Sequence, residues 1–248
     1  MKAREQAVFT TPGGRSATMW HRPDTNDWNT CRAAMTEDEY GLAGLRPEGV
    51  ALDVGAHIGA VTVGLLLDHP GLRVVAVEPV PENAELVAMN ARTNGVADRM
   101  VLVQAAAAAR GISSARLRSE FRDPSGELNH HAWVGHTVEA YPRPKGAVSC
   151  REAEVSCVCL TTLLAEAGVA QLPLLKIDAE GAEWGFLTDP AVACVDLIVG
   201  EWHAVAARGS FREMGELLGT THVVSCGGPP DGPGHFRAAR KRAWQEEP

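Results

Sequence analysis

The sequence predicts an α/β fold built on a doubly wound, mostly parallel sheet, and three observations support this prediction. A short apolar run, Val50–Val54, ends at Gly55, and an apolar helical pattern begins almost at once at Ile58. This order is that of a strand, a tight loop and a helix. Further strand patterns then alternate with helical patterns. Polar residues gather directly after the strands, at the edge where an open parallel sheet binds its ligand.

The remaining elements follow the same alternation. Strands are predicted at 50–54, 73–77, 100–105, 172–177 and 195–199, helices at 58–68, 81–94, 160–167 and 210–218, and a closing antiparallel pair at 221–226 and 235–241. Pro81 suits the first turn of its helix, and Asn94-Gly95 is typical of a left-handed helix end. The prediction is therefore a Rossmann-like domain over residues 49–248.

The segment that precedes this domain, residues 1–48, is predicted to be an N-terminal lid or cap. Within it, Met35–Leu45 fits one short helix, with Thr36 as the N-cap and Glu39 as its capping-box partner. A polar and aromatic cluster lies just before that helix. It is either a loop with buried tryptophans or a wall of the cofactor or substrate site. Its members are Trp20, His21, Asp24, Asn26, Asp27, Trp28 and Asn29.

An insertion at 119–151 interrupts the alternation after the third core strand, between predicted strands at 115–118 and 154–159. A loop of this length in a compact domain is usually functional or disordered. Three histidines and a tryptophan favour a function, and a mobile surface loop is the alternative. The histidine and aromatic residues of the insertion are His130, His131, Trp133, His136 and Tyr141.

Composition restricts the classes of function. The chain has 248 residues and 45% hydrophobic residues, which suits one large globular domain. A net charge of -8 argues against nucleic acid as a partner. We expect no membrane partner, because no apolar run approaches the ~20 residues that span a bilayer. The six cysteines lack metal-ligand spacing, and we expect reduced thiols in a cytoplasmic protein. The sequence is compatible with a homo-oligomer and does not decide the oligomeric state.

The spacing of the glycine loop indicates the class of cofactor. A dinucleotide-binding loop, G-x-G-x-x-G, would need glycines where His57 and Ala60 stand. The observed pattern, Asp53-x-Gly55-x-x-x-Gly59, instead resembles the first motif of class I S-adenosylmethionine (SAM) methyltransferases. A generic strand, turn and helix is the alternative. The resemblance implies cofactor contacts at Asp53, Gly55, Ala56, His57 and Gly59.

The next two strand ends offer further cofactor contacts. Glu78 follows the second strand, and an acidic side chain there can accept hydrogen bonds from both ribose hydroxyls. A lone glutamate at a strand end is otherwise simply solvated. Pro79 and Asn83 come next, and Gln104-Ala105 follows the third strand, where such domains place side chains near adenine.

Acidic and histidine side chains follow the fourth and fifth strands. Asp178 and Glu180 come after the fourth strand, and Glu201 and His203 come after the fifth. Stabilisation of the fold alone does not require acidic groups at so many strand ends. Glu180 and Glu183 also suit the first turn of a helix, where carboxylates stabilise the helix dipole, and this is their structural alternative.

Together these blocks resemble the FkbM-type family of SAM-dependent methyltransferases. The resemblance rests on Leu52–Gly59, on Val77-Glu78-Pro79 with Asn83, and on Lys176–Glu183, and it covers about residues 50–203. It implies a SAM-dependent O-methyltransferase that acts on a hydroxyl of a small-molecule natural product or sugar. Residues 1–48 and 119–151 match no pattern of the family, so the sequence does not define the acceptor.

The sequence supports two versions of the chemistry. In the first, His203 is the general base, because neutral imidazole works near pH 7, and Asp178 orients it or the acceptor hydroxyl. Glu180 and Glu201 are further catalytic candidates, and Asp178 also counts among the cofactor contacts. In the second version, Asp178, Glu201 and His203 bind Mg²⁺ or Mn²⁺, which lowers the pKa of the acceptor hydroxyl.

Two other classes of function stay open. One is methylation of a protein side chain, which an acidic surface and a long insertion allow. The other is a SAM- or nucleotide-binding module without turnover. The carboxylates and the histidine after strands four and five argue against such a module, because cofactor binding does not need them.

Overall fold

The computed structural model describes residues 3–122, 137–138, 149–205, 209–227 and 234–241. The strands are β1 Glu5–Thr10, β2 Ser16–His21, β3 Val50–Val54, β4 Arg73–Val77, β5 Met100–Val103, β6 Ala106–Ala107, β7 Ser114–Arg122, β8 Thr137–Val138, β9 Ser149–Val158, β10 Leu174–Ile177, β11 Leu197–Trp202, β12 His222–Gly227 and β13 Gly234–Arg240. The α-helices are α1 Asp27–Cys31, α2 Ala60–Asp68, α3 Pro81–Thr93, α4 Leu160–Ala167, α5 Glu183–Phe186 and α6 Phe211–Leu218.

A seven-stranded sheet forms the centre of the fold, in the order β12-β13-β11-β10-β3-β4-β5. The five strands from β11 to β5 are parallel. β13 is antiparallel to both of its neighbours, β11 and β12. The predicted doubly wound sheet with a closing antiparallel pair is thus confirmed. Because the parallel strands run the same way, the segments after β3, β4, β5 and β10 meet at one edge.

Two apolar layers cover the sheet, one on each face. The first includes Ile58, Leu66 and Leu86 of the α2–α3 region, together with Met19 and Met35 of the N-terminal segment. The second includes Leu160, Leu163, Trp184, Phe186 and Trp202.

The N-terminal hairpin β1–β2 packs onto α3 through hydrogen bonds to two asparagine side chains. Asn90 Oδ1 accepts the amide of Trp20 at 2.6 Å, and Asn94 Oδ1 accepts that of Thr18 at 2.9 Å.

The predicted helix at 35–45 is wrong. The chain is helical earlier, in α1 and a π-helical turn, Arg32–Thr36, so Thr36 ends a helix instead of starting one. Asp38 then takes a left-handed conformation with φ 53°. Its carboxylate accepts the amides of Leu42 and Ala43, at 2.6 and 3.0 Å. These side-chain bonds compete with helical bonds, so residues 37–49 form turns.

Two strand predictions also need correction. The third strand ends at Val103, and Ala106–Ala107 joins a second, four-stranded sheet of order β6-β9-β7-β8. The fifth strand runs to Trp202, because β13 pairs with β11 as far as Trp202 opposite Gly234. Glu201 therefore lies within a strand, and His203 follows it directly.

Part of the 119–151 insertion is strand, since β7 reaches Arg122 and β9 begins at Ser149. Its histidines, Trp133 and Tyr141 lie outside the described residues. The cysteines whose side chains are described, Cys31, Cys157, Cys159, Cys194 and Cys226, are free thiols. Across the described part of the chain, the helices lack the length and apolar character that a bilayer crossing requires.

Candidate active site

A cavity opens where the parallel strands end. Its walls come from the loops after β3, β4, β5 and β10 and from the N-terminal segment. The empty space, including solvent at the mouth, is about 850 Å³. The lining residues are Asn26, Asp27, Thr30, Gly55, His57, Val77, Glu78, Pro79, Asn83, Ala105, Ala106, Ala107, Asp178, Ala179, Glu180 and Ala182.

The loop after β3 needs glycine at Gly55. This residue has φ 76°, and a Cβ there would lie 1.7 Å from the carbonyl oxygen of Asp178. Its amide donates to the carbonyl of Val77 at 2.9 Å. The close approach holds the loop against the chain after β10, so the first and fourth strand ends form one wall. His57 also has a positive φ, 52°, which a non-glycine residue adopts at a cost.

Glu78 is fixed in this cavity by three donors. Its Oε2 accepts the amide of His57 at 2.9 Å. Its Oε1 accepts the amide of Val80 at 3.0 Å and the Asn83 side chain at 3.1 Å. Burial raises the pKa of Glu78, although the charge of His57 and these hydrogen bonds oppose the shift. The carboxylate is therefore oriented by the chain itself before any ligand arrives.

The N-terminal segment supplies an ion pair beside the cavity. Arg22 donates to both carboxylate oxygens of Asp27, each at 2.8 Å, and to Asn83 Oδ1 at 2.7 Å. His57 Nε2 lies 3.3 Å from Asp27 Oδ1. Burial would raise the pKa of Asp27, but the bonds to His57 and Arg22 hold it well below its usual range. Of the polar and aromatic cluster predicted here, Asn26 and Asp27 line the cavity, whereas Trp28 is 43% exposed and Trp20 packs against the apolar layer that contains Met19.

Some predicted cofactor residues lie outside the cavity lining. Asp53 is fully buried, where it accepts from Thr62 Oγ1 at 2.6 Å and pairs with Lys176 Nζ at 3.3 Å. Gln104 faces a neighbouring groove, because the chain turns after β5 and brings Ala105–Ala107 to the cavity instead. Ala56 and Gly59 belong to the loop after β3, but neither belongs to the cavity lining.

The predicted catalytic residues do come together, around His203. Its Nε2 lies 3.3 Å from Glu180 Oε2, and 3.9 Å from both Asp178 Oδ1 and Glu201 Oε1. Its Nδ1 lies 3.2 Å from Glu183 Oε1, which also accepts the amide of His203 at 2.6 Å. We call Asp178, Glu180, Glu201 and His203 the carboxylate–histidine cluster, with Glu183 buried behind it.

This environment decides the charge of His203. Burial would lower its pKa, but the hydrogen bond to Glu183 and the charges of Glu180, Glu183 and Asp178 outweigh burial and raise it to about 10. The neutral imidazole expected near pH 7 therefore does not fit this geometry when no cation is bound. Burial likewise raises the pKa of Glu180 and of Glu201, and neighbouring carboxylates add to both shifts.

Three members of the cluster could hold a metal ion. Ligand atoms of Asp178, Glu201 and His203 all lie within 4.8 Å of one another. Two carboxylates and one imidazole are donors that suit Mg²⁺ or Mn²⁺.

Three residues contribute to the site without having been predicted to do so from the sequence. Tyr40 donates its hydroxyl proton to Asp178 Oδ2 at 2.8 Å. The other two are Lys176, which the sequence indicates only as part of a motif, and Arg22, for which the sequence predicts no role. A buried lysine within a strand was the one available signal, since such a residue is nearly always paired. Tyr40 and Arg22 lie in turns whose packing has no periodic pattern.

The sheet order and the glycine loop, with an acidic residue after the second strand, define the class of protein. It is a class I SAM-dependent methyltransferase. The family model described as "Methyltransferase FkbM domain" matches residues 53–224. A curated relative, 31-O-demethyl-FK506 methyltransferase FkbM of Streptomyces tacrolimicus, is 34% identical over 189 residues, which are 70% of this chain and 72% of the relative. The chain belongs to the FkbM methyltransferase family.

Two solved structures are similar at lower identity. A SAM-dependent methyltransferase from Agrobacterium tumefaciens has a TM-score of 0.48 at 11% identity, over 95% of this chain and 70% of that chain. A precorrin-6y C5,15-methyltransferase from Geobacter metallireducens GS-15 has a TM-score of 0.44 at 14% identity, over 83% and 87%. The fold assignment rests on the sheet order described above.

Proposed function

We propose that this chain transfers the methyl group of SAM to a hydroxyl of a small-molecule natural product or sugar. One observation carries the proposal: Asp178 and Glu180 belong both to the cavity wall and to the carboxylate–histidine cluster. The cofactor cavity therefore adjoins groups that can orient a hydroxyl. The name of the S. tacrolimicus relative supports an oxygen acceptor, because it specifies a 31-O-demethyl compound.

The cavity suits SAM chemically. Glu78 presents a fixed carboxylate to hydroxyl donors, as a ribose requires. Ala105–Ala107 form an apolar wall that suits a flat base. Within the described residues, His57 Nδ1 and Asp178 Oδ1 are buried polar atoms without a hydrogen-bond partner. Both residues line the cavity, so a polar ligand there would relieve the cost of leaving these atoms unsatisfied.

The chain's own residues prepare the transfer. SAM, when bound, supplies a methyl group on a sulfonium, and the acceptor oxygen must approach in line. Asp178 and Glu201 accept hydrogen bonds and can orient the acceptor hydroxyl at the mouth of the cavity. His203 is held protonated by Glu183 and its other acidic neighbours, so in the absence of a cation a carboxylate must receive the hydroxyl proton. Glu201 is our candidate, because its carboxylate lies within 4.8 Å of the ligand atoms of Asp178 and His203, and because burial raises its pKa and so makes it a stronger base.

A labelling experiment tests the function. Purified protein is incubated with methyl-labelled SAM and 31-O-demethyl-FK506, and in parallel with a cell extract that is then separated by size. We expect label on an oxygen of a small molecule. Label in the protein fraction would indicate a side-chain methyltransferase. Binding of S-adenosylhomocysteine (SAH) with no transfer of label would indicate a binding module.

We also propose that Asp178, Glu201 and His203 bind Mg²⁺ or Mn²⁺. The proximity of their ligand atoms favours this version, and so does the charge of the site, since a divalent cation can replace the imidazole proton among the surrounding carboxylates. Such a cation lowers the pKa of a bound hydroxyl. Asp178 and Glu201 would hold it, and His203 would offer Nε2.

Chelation and metal replacement test the cation. We expect chelated protein to lose methyl transfer and Mn²⁺ to restore it. Electron paramagnetic resonance should detect Mn²⁺ on the wild type, with a dissociation constant raised in Glu201→Gln. Glu216→Gln, on the exposed side of α6, is the control and should bind as the wild type does. Full activity after chelation would exclude the cation. The version in which a carboxylate receives the hydroxyl proton would then remain.

A further inference from the structure

Tyr40 reaches the candidate catalytic carboxylate from the N-terminal segment. It is 8% exposed, and its hydroxyl donates to Asp178 Oδ2 at 2.8 Å. The other oxygen, Oδ1, is buried without a hydrogen-bond partner among the described residues, 3.9 Å from His203 Nε2. The two oxygens of Asp178 therefore differ, one being bound by the protein and the other turned toward the cluster.

The turn that carries Tyr40 has a defined conformation. Asp38 has φ 53° and Gly41 has φ 63°, so left-handed residues lie on both sides of Tyr40. The Asp38 carboxylate binds the amides of Leu42 and Ala43, and the Gly41 amide donates to the Asp38 carbonyl at 2.8 Å. This local bonding holds the turn and presents the Tyr40 side chain to β10 and β13.

The ring and the hydroxyl of Tyr40 have separable contacts. Lys176 Nζ lies 5.2 Å from the ring centroid, and the His235 ring meets it edge-on at 5.7 Å. The hydroxyl binds Asp178 alone among the described side chains. Phenylalanine at this position would keep the ring contacts and remove one hydrogen bond, so the role of the hydroxyl can be measured by itself.

The main chain of Asp178 is also held, since its amide donates to the Val54 carbonyl at 3.0 Å. With the backbone fixed, the remaining freedom is rotation of the side chain. Among the described side chains, the Tyr40 hydroxyl is the one hydrogen-bond donor to this carboxylate. In the observed rotamer, Oδ1 lies on the side of the cluster, 3.9 Å from His203 Nε2.

We propose that Tyr40 is a positioning residue, whose hydroxyl holds Asp178 so that Oδ1 is presented to the ligand of the carboxylate–histidine cluster. The proposal rests on the proposed function, which places the acceptor or its cation at that cluster. Partners of this kind, one bond behind a ligand residue, commonly change metal affinity or activity by about 10–100-fold when removed. It follows that Tyr40 contributes to catalysis through Asp178, without touching the reacting atoms itself.

The test uses the full chain with Tyr40→Phe and has two measurements. Crystal structures of the wild type and the variant, grown without metal, compare the Asp178 side chain. We expect its carboxylate to rotate or to take several orientations in the variant. Mn²⁺ binding by electron paramagnetic resonance should weaken by about 10–100-fold. Thr161→Val is the matched control, because it removes a hydroxyl that donates to Asp189 at 2.6 Å outside the site, and it should leave Mn²⁺ binding unchanged.

The outcomes separate this proposal from the proposed function. An unchanged Asp178 rotamer in Tyr40→Phe overturns the positioning role, whatever Mn²⁺ does. A moved Asp178 with no Mn²⁺ bound even by the wild type supports the positioning role and removes the cation from the mechanism. If wild type and Tyr40→Phe bind Mn²⁺ with equal affinity and the variant loses only thermal stability, Tyr40 is a packing residue. That result overturns the proposal.

Discussion

Lys176 Nζ donates to the carbonyl oxygen of Gly55 at 2.8 Å and lies 3.3 Å from Asp53 Oδ1. The lysine is 3% exposed and comes from β10, whereas both partners belong to β3 and its loop. Burial would lower the pKa of Lys176, but the charges of Asp53 and Asp178 raise it, so the side chain stays protonated. The glycine loop is thus tied to the strand that carries Asp178.

Replacing this lysine should therefore damage the loop and the fold together. Lys176→Met leaves Asp53 charged and unpaired, and breaking a buried pair in this way costs about 3–5 kcal/mol of unfolding free energy. Denaturant titration measures the loss, and calorimetry should show weaker SAH binding in the folded protein. Arg212→Gln removes one partner of an exposed pair on α6 and should leave the unfolding midpoint unchanged. An unaltered midpoint in Lys176→Met would contradict the structural role.

A methyl group at Gly55 should be excluded by sterics. The added Cβ would meet the Asp178 carbonyl at 1.7 Å, and φ is 76°. We expect Gly55→Ala to lose about 1–3 kcal/mol of stability or more from overpacking, and to abolish SAH binding in the folded fraction. Gly14→Ala is the matched control: φ is 84° but no atom lies within 4 Å. It should cost only the strain of a left-handed alanine, about 1–2 kcal/mol, with normal SAH binding. Normal SAH binding by Gly55→Ala would place the cofactor elsewhere.

The sequence alone predicts the sheet and places several of the residues that line the cavity. Apolar periodicity located β3, β4 and β10, and parallel strands bring their ends together whatever the details of packing. That is why Gly55, Glu78 and Asp178 were predicted in one cavity and line it. Asp53 lies outside the cavity lining, since the motif gives only its position in the chain, whereas its burial depends on Thr62 and Lys176.

The charge of the cluster could not be predicted. A histidine after a strand suggests a neutral imidazole near pH 7. Its pKa of about 10 arises because Glu183, Glu180 and Asp178 converge on it from another loop. Sequence spacing does not encode such convergence. The same holds for Tyr40, whose turn depends on left-handed residues and side-chain caps rather than on periodicity.

Glu78 offers a direct test of the ribose contact. Glu78→Gln keeps the size of the side chain and removes a charged acceptor, so SAH binding should weaken by about 1–3 kcal/mol. Isothermal titration calorimetry measures the change. Glu85→Gln, on the outer face of α3, is the matched control and should bind SAH as the wild type does. An unchanged dissociation constant for Glu78→Gln would remove Glu78 from the cofactor contacts.

The raised pKa of His203 makes stability depend on pH in the metal-free protein. The folded state binds the imidazole proton with a pKa of about 10, and the unfolded state with the ordinary histidine pKa of about 6.5. The stabilisation is therefore complete below about pH 6.5 and is lost as pH rises toward 10. In chelator, the difference in unfolding free energy between wild type and His203→Gln should shrink between pH 7 and pH 10. His222→Gln is the control. Burial lowers the pKa of His222, so this histidine contributes to the pH dependence of the unfolding free energy only below pH 6.5. If the difference in unfolding free energy between wild type and His203→Gln stays constant from pH 7 to pH 10, the acidic neighbours do not hold a proton on His203.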